Sequence, residues 1–303
     1  MTASPVSPVK SVSTTKQSRA RSRWHRLREM PLVWMVLLTA AIATSFIVPL
    51  FVPEERVIQG DLALRGLAPW FASGEHGTGF WSILGTDAQG RDVLLRMIFG
   101  LQSSILVGVA SIAIGATLGS AVGLLAGYAG RLTDTLLMRF VDIMISMPVI
   151  LVALVAAATF TQSFWSVSII IACLVFPRYA RQVRGDVLGV KSEDFVQLAR
   201  INGASHTRVA VVHILPNLMS GIVVMTSLQI GWAILIEASL SFLGAGLPAP
   251  APTLGGMIAD GQQHLYDMWW IGVIPGALLA AVVLALNYIG DYIRDRLDPQ
   301  YSA

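Results

Sequence analysis

Charge is scarce in this chain. Asp, Glu, Lys and Arg make up 13% of its 303 residues, about half the share usual in soluble domains. Cysteine is nearly absent: Cys173 stands alone, so no internal disulfide can form, and its apolar neighbourhood predicts a small packed core residue. The five histidines (25, 76, 206, 213 and 264) show no metal-ligand spacing on a common face, and no His-Glu-x-x-His occurs. No segment matches Gly-x4-Gly-Lys-Ser/Thr, so the chain has no P-loop with which to hydrolyse ATP. What is abundant is apolar surface. Hydrophobic residues reach 54% and the mean hydropathy is +0.67. A soluble protein of this length could not hide that much apolar surface, which excludes a soluble enzyme, a disordered chain and a small secreted domain.

The apolar residues fall into six stretches, which predict an all-α polytopic membrane protein. Pro31–Val52 would rise about 33 Å as a helix, enough to cross roughly 30 Å of hydrocarbon. Its length and the lack of a small-residue cleavage site before Pro53 point to an uncleaved anchor. Ser103–Tyr128, Ile143–Phe160, Phe164–Ala180, Asn217–Leu243 and Met268–Gly290 follow, with Pro148 and Pro275 expected to kink rather than break their helices. The expected organisation is a disordered basic tail (1–30), a first span (31–52), a loop (53–102), a core of five spans (103–290) and a tail (291–303). Of the 21 Lys and Arg, 17 lie in the two tails, around Arg131 and Arg139, and in Pro177–Pro216. The positive-inside rule then puts both termini in the cytoplasm and 53–102 outside. It also puts Trp269 and Trp270 at the outer interface. The basic run ahead of the first span reads as a membrane-proximal collar rather than a nucleic-acid site.

Within the second span Gly115, Gly119, Gly123 and Gly127 recur every four residues, in line with Ser111. They stack on one helical face and let another helix approach backbone to backbone, with a partner helix of the same subunit expected. Two acids, Asp142 and Glu237, fall within or at the ends of spans and are candidate intramembrane polar sites. Asp142 is expected to pair locally with Arg139. So few midplane polar groups argue against the rival reading, a secondary transporter with its own ion-coupled site.

The segment between spans four and five has helical signals of its own. Ser192 is positioned to cap a helix whose first turn holds Glu193 and Asp194. Phe195, Leu198, Ala199 and Ile201 form an apolar stripe, and Gly203 suits a left-handed helix terminus. A second amphipathic run, Ser205–Leu215, is expected to stop before Pro216. A projecting helix of this kind suits a groove on a cytoplasmic partner.

Several motifs then resemble one family. Gln197-Leu198-Ala199, three residues, Gly203, and eleven residues to Leu215-Pro216 resembles the EAA loop of ABC-importer permeases, with Gln-Leu replacing Glu-Ala and His213 in the isoleucine place. Leu84-Gly85-Thr86-Asp87-Ala88-Gln89-Gly90-Arg91-Asp92 is similar to the LGTDxxGRD stretch of dipeptide/oligopeptide/nickel permeases. So are Tyr179–Gly185 to their YARxVRG, Glu237–Gly244 to their EAxLSFLG, and Asn287–Pro299 to their C-terminal NxxGDxxRDxLDP. The chain is identified as resembling the C-type subunit.

The resemblance implies half of a translocation path, formed with a homologous second permease in the bacterial plasma membrane. It implies two cytoplasmic ATP-binding subunits and an extracytoplasmic substrate-binding protein, with no cofactor or metal in this chain. ATPase coupling would fall to Ser192, Glu193, Asp194, Phe195, Gln197, Leu198, Ala199, Gly203, Leu215 and Pro216. Peptides rank first as substrate, ahead of nickel chelates, haem and other small solutes.

Overall fold

A computed structural model describes residues 31–70 and 83–297. The expected basic tail 1–30 and the last six residues lie outside them. Among the described residues the fold is helical, with one isolated bridge, Thr86 to Asp92, and no strand. The main helices are α1 (Pro31–Phe51), α2 (Val93–Ala129), α3 (Arg131–Ser146), α4 (Val149–Thr159), α5 (Phe164–Val190), α6 (Asp194–Ile201), α7 (Leu215–Phe242), α8 (Leu254–Gln262) and α9 (Trp270–Leu297).

Four helical stretches are long and apolar enough to cross a membrane: Val93–Ala129, Phe164–Val190, His206–Phe242 and Trp270–Arg296. The pair α3 and α4 makes a fifth if counted as one bent span, and α1 contributes a shorter apolar helix, Met35–Phe51. Three sequence expectations need correcting. The helices meet at 90° around Met147-Pro148, so Pro148 breaks the span rather than kinking it. It lacks an N–H, and Met147 before it is held extended. The helix of span four runs ten residues past Ala180, because Tyr179, Ala180, Val183 and Val187 are all buried. The loop ahead of span two ends at Asp92, whose carboxylate caps α2 by accepting from the Leu95 N–H (2.9 Å). Pro275, in contrast, sits inside an unbroken α9.

The glycine face of α2 lies against α5 of the same chain. A Cβ on Gly115 would stand 2.9 Å from the Ala172 carbonyl oxygen, and one on Gly119 2.6 Å from that of Phe176. On Gly123 it would meet the Ala180 carbonyl oxygen at 2.6 Å, and on Gly127 the Val187 side chain at 2.7 Å. Four successive turns therefore pack backbone to backbone, and Ser111 continues the seam as a buried residue. Three apolar clusters build on this pair. One joins α1, α2, α7, α8 and α9. A second joins α2, α4, α5 and α7. The third gathers Val183, Val187, Val196, Val209, Ile214 and Leu218 beneath α6.

Candidate functional site

Helix α6 projects from one end of the α2–α5 pair, and its two faces differ. Val196 is fully buried and Ala199 half-buried over the third cluster. Phe195, Leu198 and Ile201 are 41%, 57% and 80% exposed. The expected single stripe is thus split. Val196, missing from it, is the anchor, and the residues at three-residue intervals from Phe195 form an open apolar edge. Gly203 closes the helix as expected: its φ is +80°, its N–H bonds the Arg200 carbonyl, and the Ala204 N–H bonds the Ala199 carbonyl. This is the paired hydrogen-bond pattern of a left-handed helix terminus.

Ser192 does not cap α6. The N-cap is Glu193, whose side chain makes no cap hydrogen bond, while the Ser192 hydroxyl donates back to the Gly189 carbonyl (2.7 Å). Ser192 lies one residue ahead of the cap position, in the turn that ends α5. Asp194 opens the helix, and Gln197 donates to the Ser192 carbonyl (3.0 Å), closing the entry turn. The run after Gly203 does not stop before Pro216. His206–Arg208 and a π-helical turn Val209–Ile214 lead without a break into α7, where Leu215 and Pro216 occupy the first turn.

An aromatic anchor that the sequence motifs did not reveal ties α6 to the end of α2. The Lys191 ammonium donates to the Gly127 and Tyr128 carbonyls (3.2 and 2.9 Å), the orphan acceptors of the α2 C-terminus. The Tyr128 ring stacks with Lys191 and Arg200 at 5.4 and 5.3 Å, and its hydroxyl meets His206 Nδ1 at 3.1 Å. Lys191 and Arg200 lie 63 and 72 residues from Tyr128 in the sequence, a separation that no spacing motif brings together.

The two candidate intramembrane acids, Asp142 and Glu237, have separate settings. Glu237 is fully buried and accepts hydrogen bonds from Ser104 (2.5 Å) and Ser241 (2.7 Å), joining α7 to α2. Asp142 does not pair with Arg139. It takes Arg181 of α5 at 2.7 Å, because that arginine faces it across the α3–α5 contact. Asp134, about two helical turns earlier, binds the Arg184 guanidinium through both carboxylate oxygens.

At the far end of α2 the Gly85–Asp92 turn is tied down by charge. Asp87 accepts from the Gln89 and Arg91 amides and from the side chains of Arg91 (2.7 Å) and Arg96. Burial works to raise its carboxyl, but those amides and the two guanidinium charges prevail and hold it below the usual value. Burial pushes Asp92 up to about 6, against the lowering by amides at the start of α2. Trp270 is buried, and its indole N–H donates to the Thr86 carbonyl (3.1 Å), while Trp269 stays 39% exposed.

Cys173 is not a core residue either. It is exposed and lines a cavity of about 550 Å³ between α3, α4 and α5.

Residues 119–303 match the family described as the inner membrane component of binding-protein-dependent transport systems. The chain is 34% identical over 305 residues to the dipeptide transport system permease protein DppC of Alkalihalophilus pseudofirmus, covering 100% of this chain and 97% of that one. It is 34% identical over 246 residues to the oligopeptide transport system permease protein OppC of Haemophilus influenzae, covering 77% and 79%. Its fold is similar to a solved inward-facing structure of the MetNI methionine ABC transporter, with a TM-score of 0.55 and 20% identity over 68% of this chain and 96% of that one.

Proposed function

Since this chain belongs to the family of inner membrane components of binding-protein-dependent transport systems, we propose that it is the C-type permease of a peptide importer and that α6 is the element its ATPases move. It is a multi-pass protein of the bacterial inner membrane, and its family works with ATP-binding subunits and a substrate-binding protein. In this reading a homologous second permease completes the path as a heterodimer. The spans number six: α1, α2, the bent α3–α4 pair, α5, the His206–Phe242 stretch and α9. Both termini and α6 face the cytoplasm, and the Asp87 turn faces outward. The chain itself catalyses nothing.

The observation that carries the reading is the division of α6 into a buried anchor and an open edge. Val196 and the Tyr128 stack fix the helix to α2 and α5, so a force on α6 reaches the transmembrane bundle. Phe195, Leu198 and Ile201 leave an apolar strip open among the described residues, which suits a groove on an ATPase subunit. Dipeptides are the favoured cargo because a relative similar along its full length carries that name.

The test is uptake of a labelled dipeptide into vesicles holding this chain with its partner subunits. Uptake that needs ATP and the binding protein supports the reading. Uptake that survives without ATP and follows an ion gradient would establish a secondary transporter instead.

A further inference from the structure

Helix α5 carries three arginines at three-residue spacing, and they are not treated alike. Arg181 and Arg184 each hold an acid of α3, Asp142 and Asp134. Arg178 has no carboxylate within ion-pair distance among the described residues. Its guanidinium carbon lies 3.9 Å over the Trp232 ring of α7, and its Nη1 donates to Gln229 Oε1 at 3.2 Å. Arg178 is fourteen residues into α5, about 21 Å along its axis from Phe164, and half-buried. In the six-span reading above that falls within the bilayer, where arginines are rare and mark solute paths.

Arg178 is also the one charged residue among the described residues lining the cavity of about 550 Å³. Apart from Ser166 and Cys173 its other walls are apolar, among them Met144, Met147, Phe160 and Leu174. The volume lies within the roughly 300–1,000 Å³ of small-molecule sites. One cation in an apolar chamber fits an amphipathic anion. Gln229 takes one of the five guanidinium donors, and Trp232 fixes the plane of the rest, so a planar two-oxygen acceptor can be met by paired N–H groups.

We propose that Arg178 binds the C-terminal carboxylate of the permeating peptide, with the apolar walls taking its side chains. This rests on the peptide-import reading above. It makes the permease itself discriminate peptides by a free carboxyl end, in addition to whatever the binding protein selects.

Cys173 supplies the readout, because it lines the same cavity and is the only cysteine of the chain. The complete transporter in lipid nanodiscs, without binding protein, is treated with N-ethylmaleimide, and alkylation of Cys173 is followed by mass spectrometry. The probes are the dipeptide Ala-Phe and its C-terminal amide. The free acid is expected to protect Cys173 at concentrations about tenfold or more below those the amide needs, the difference one charge-assisted hydrogen-bonded contact makes. Arg178→Gln is expected to erase that difference and Arg178→Lys to keep part of it. Equal protection by acid and amide in the unmodified protein overturns the proposal, and that comparison needs no variant to fold. Absence of protection by either, or an unchanged preference in Arg178→Gln, also overturns it. ATP-driven uptake of Ala-Phe is measured beside it: if uptake persists while the protection result fails, only the role of Arg178 falls, whereas loss of uptake in the unmodified transporter removes the peptide reading itself.

Discussion

Gly119 lies against Tyr179 so closely that a Cβ on the glycine would stand 2.6 Å from the Cβ of the tyrosine. The neighbour there is the root of a fully buried side chain together with the α5 backbone, neither of which can swing away. Gly119→Ala should therefore destabilise by about 1–3 kcal/mol, as overpacking does in dense cores, and Gly119→Leu should abolish folded protein. Gly185 is the control. It lies within α5, and nothing stands within 4 Å of its notional Cβ, so Gly185→Ala should keep or raise stability, by up to about 1 kcal/mol. Thermal unfolding in detergent, followed by size-exclusion chromatography, separates the two. Equal melting temperatures for Gly119→Ala and the unmodified protein would mean that α2 and α5 are not in this contact.

The capping carboxylate of α2 predicts a pH dependence. Burial raises Asp92 to about 6 in the folded protein, above the ordinary carboxylate value of about 4. A raised folded-state value stabilises fully below the unfolded pKa, and that contribution is lost as pH rises through the folded one. The Asp92 contribution should thus decline between about pH 4 and pH 6, then level off. Asp87 works the other way: held low, it stabilises above its unfolded pKa and is lost only in stronger acid. Asp92→Asn keeps a capping oxygen and removes the titration. The melting temperature of the unmodified protein relative to this variant should fall from pH 4 to pH 6.5. A flat difference would contradict the burial of this carboxyl.

The glycine seam was legible in the sequence because four-residue spacing on one helix is a local property, and it needs only a partner of matching shape. Gly203 was legible for the same reason: one residue must turn left-handed. The extent of α5 was not. Its arginines read as a basic loop, because the acids that accept two of them, Asp134 and Asp142, come from another helix. The division of α6 was also hidden. Val196 and Leu198 are equally apolar, and only the cluster of Val183, Val187 and Val209 beneath the helix decides which one is covered. The sequence offers Asp142 an arginine three residues away, whereas the fold supplies Arg181, thirty-nine residues on.

Glu237 joins two helices through hydroxyls, so its removal should be felt at Ser104. Glu237→Leu leaves both serine hydroxyls buried without their acceptor, at a cost of about 1–3 kcal/mol. Adding Ser104→Ala should recover part of that loss, since the orphaned donor disappears. A double-mutant cycle on thermal stability measures it. Strict additivity of the two changes would show that the 2.5 Å contact between them contributes nothing.

The central claim is that α6 transmits the work of the ATPases through its open edge, and Phe195→Asp tests it most directly. Phe195 is 41% exposed, so the fold tolerates the change, while a carboxylate placed in an apolar groove opposes docking. The complete transporter is reconstituted in vesicles, and co-purified ATPase is measured together with ATP hydrolysis stimulated by the peptide-loaded binding protein. The account predicts an inserted, folded permease with reduced ATPase retention and lost stimulation. Wild-type retention and wild-type stimulation in Phe195→Asp would contradict it.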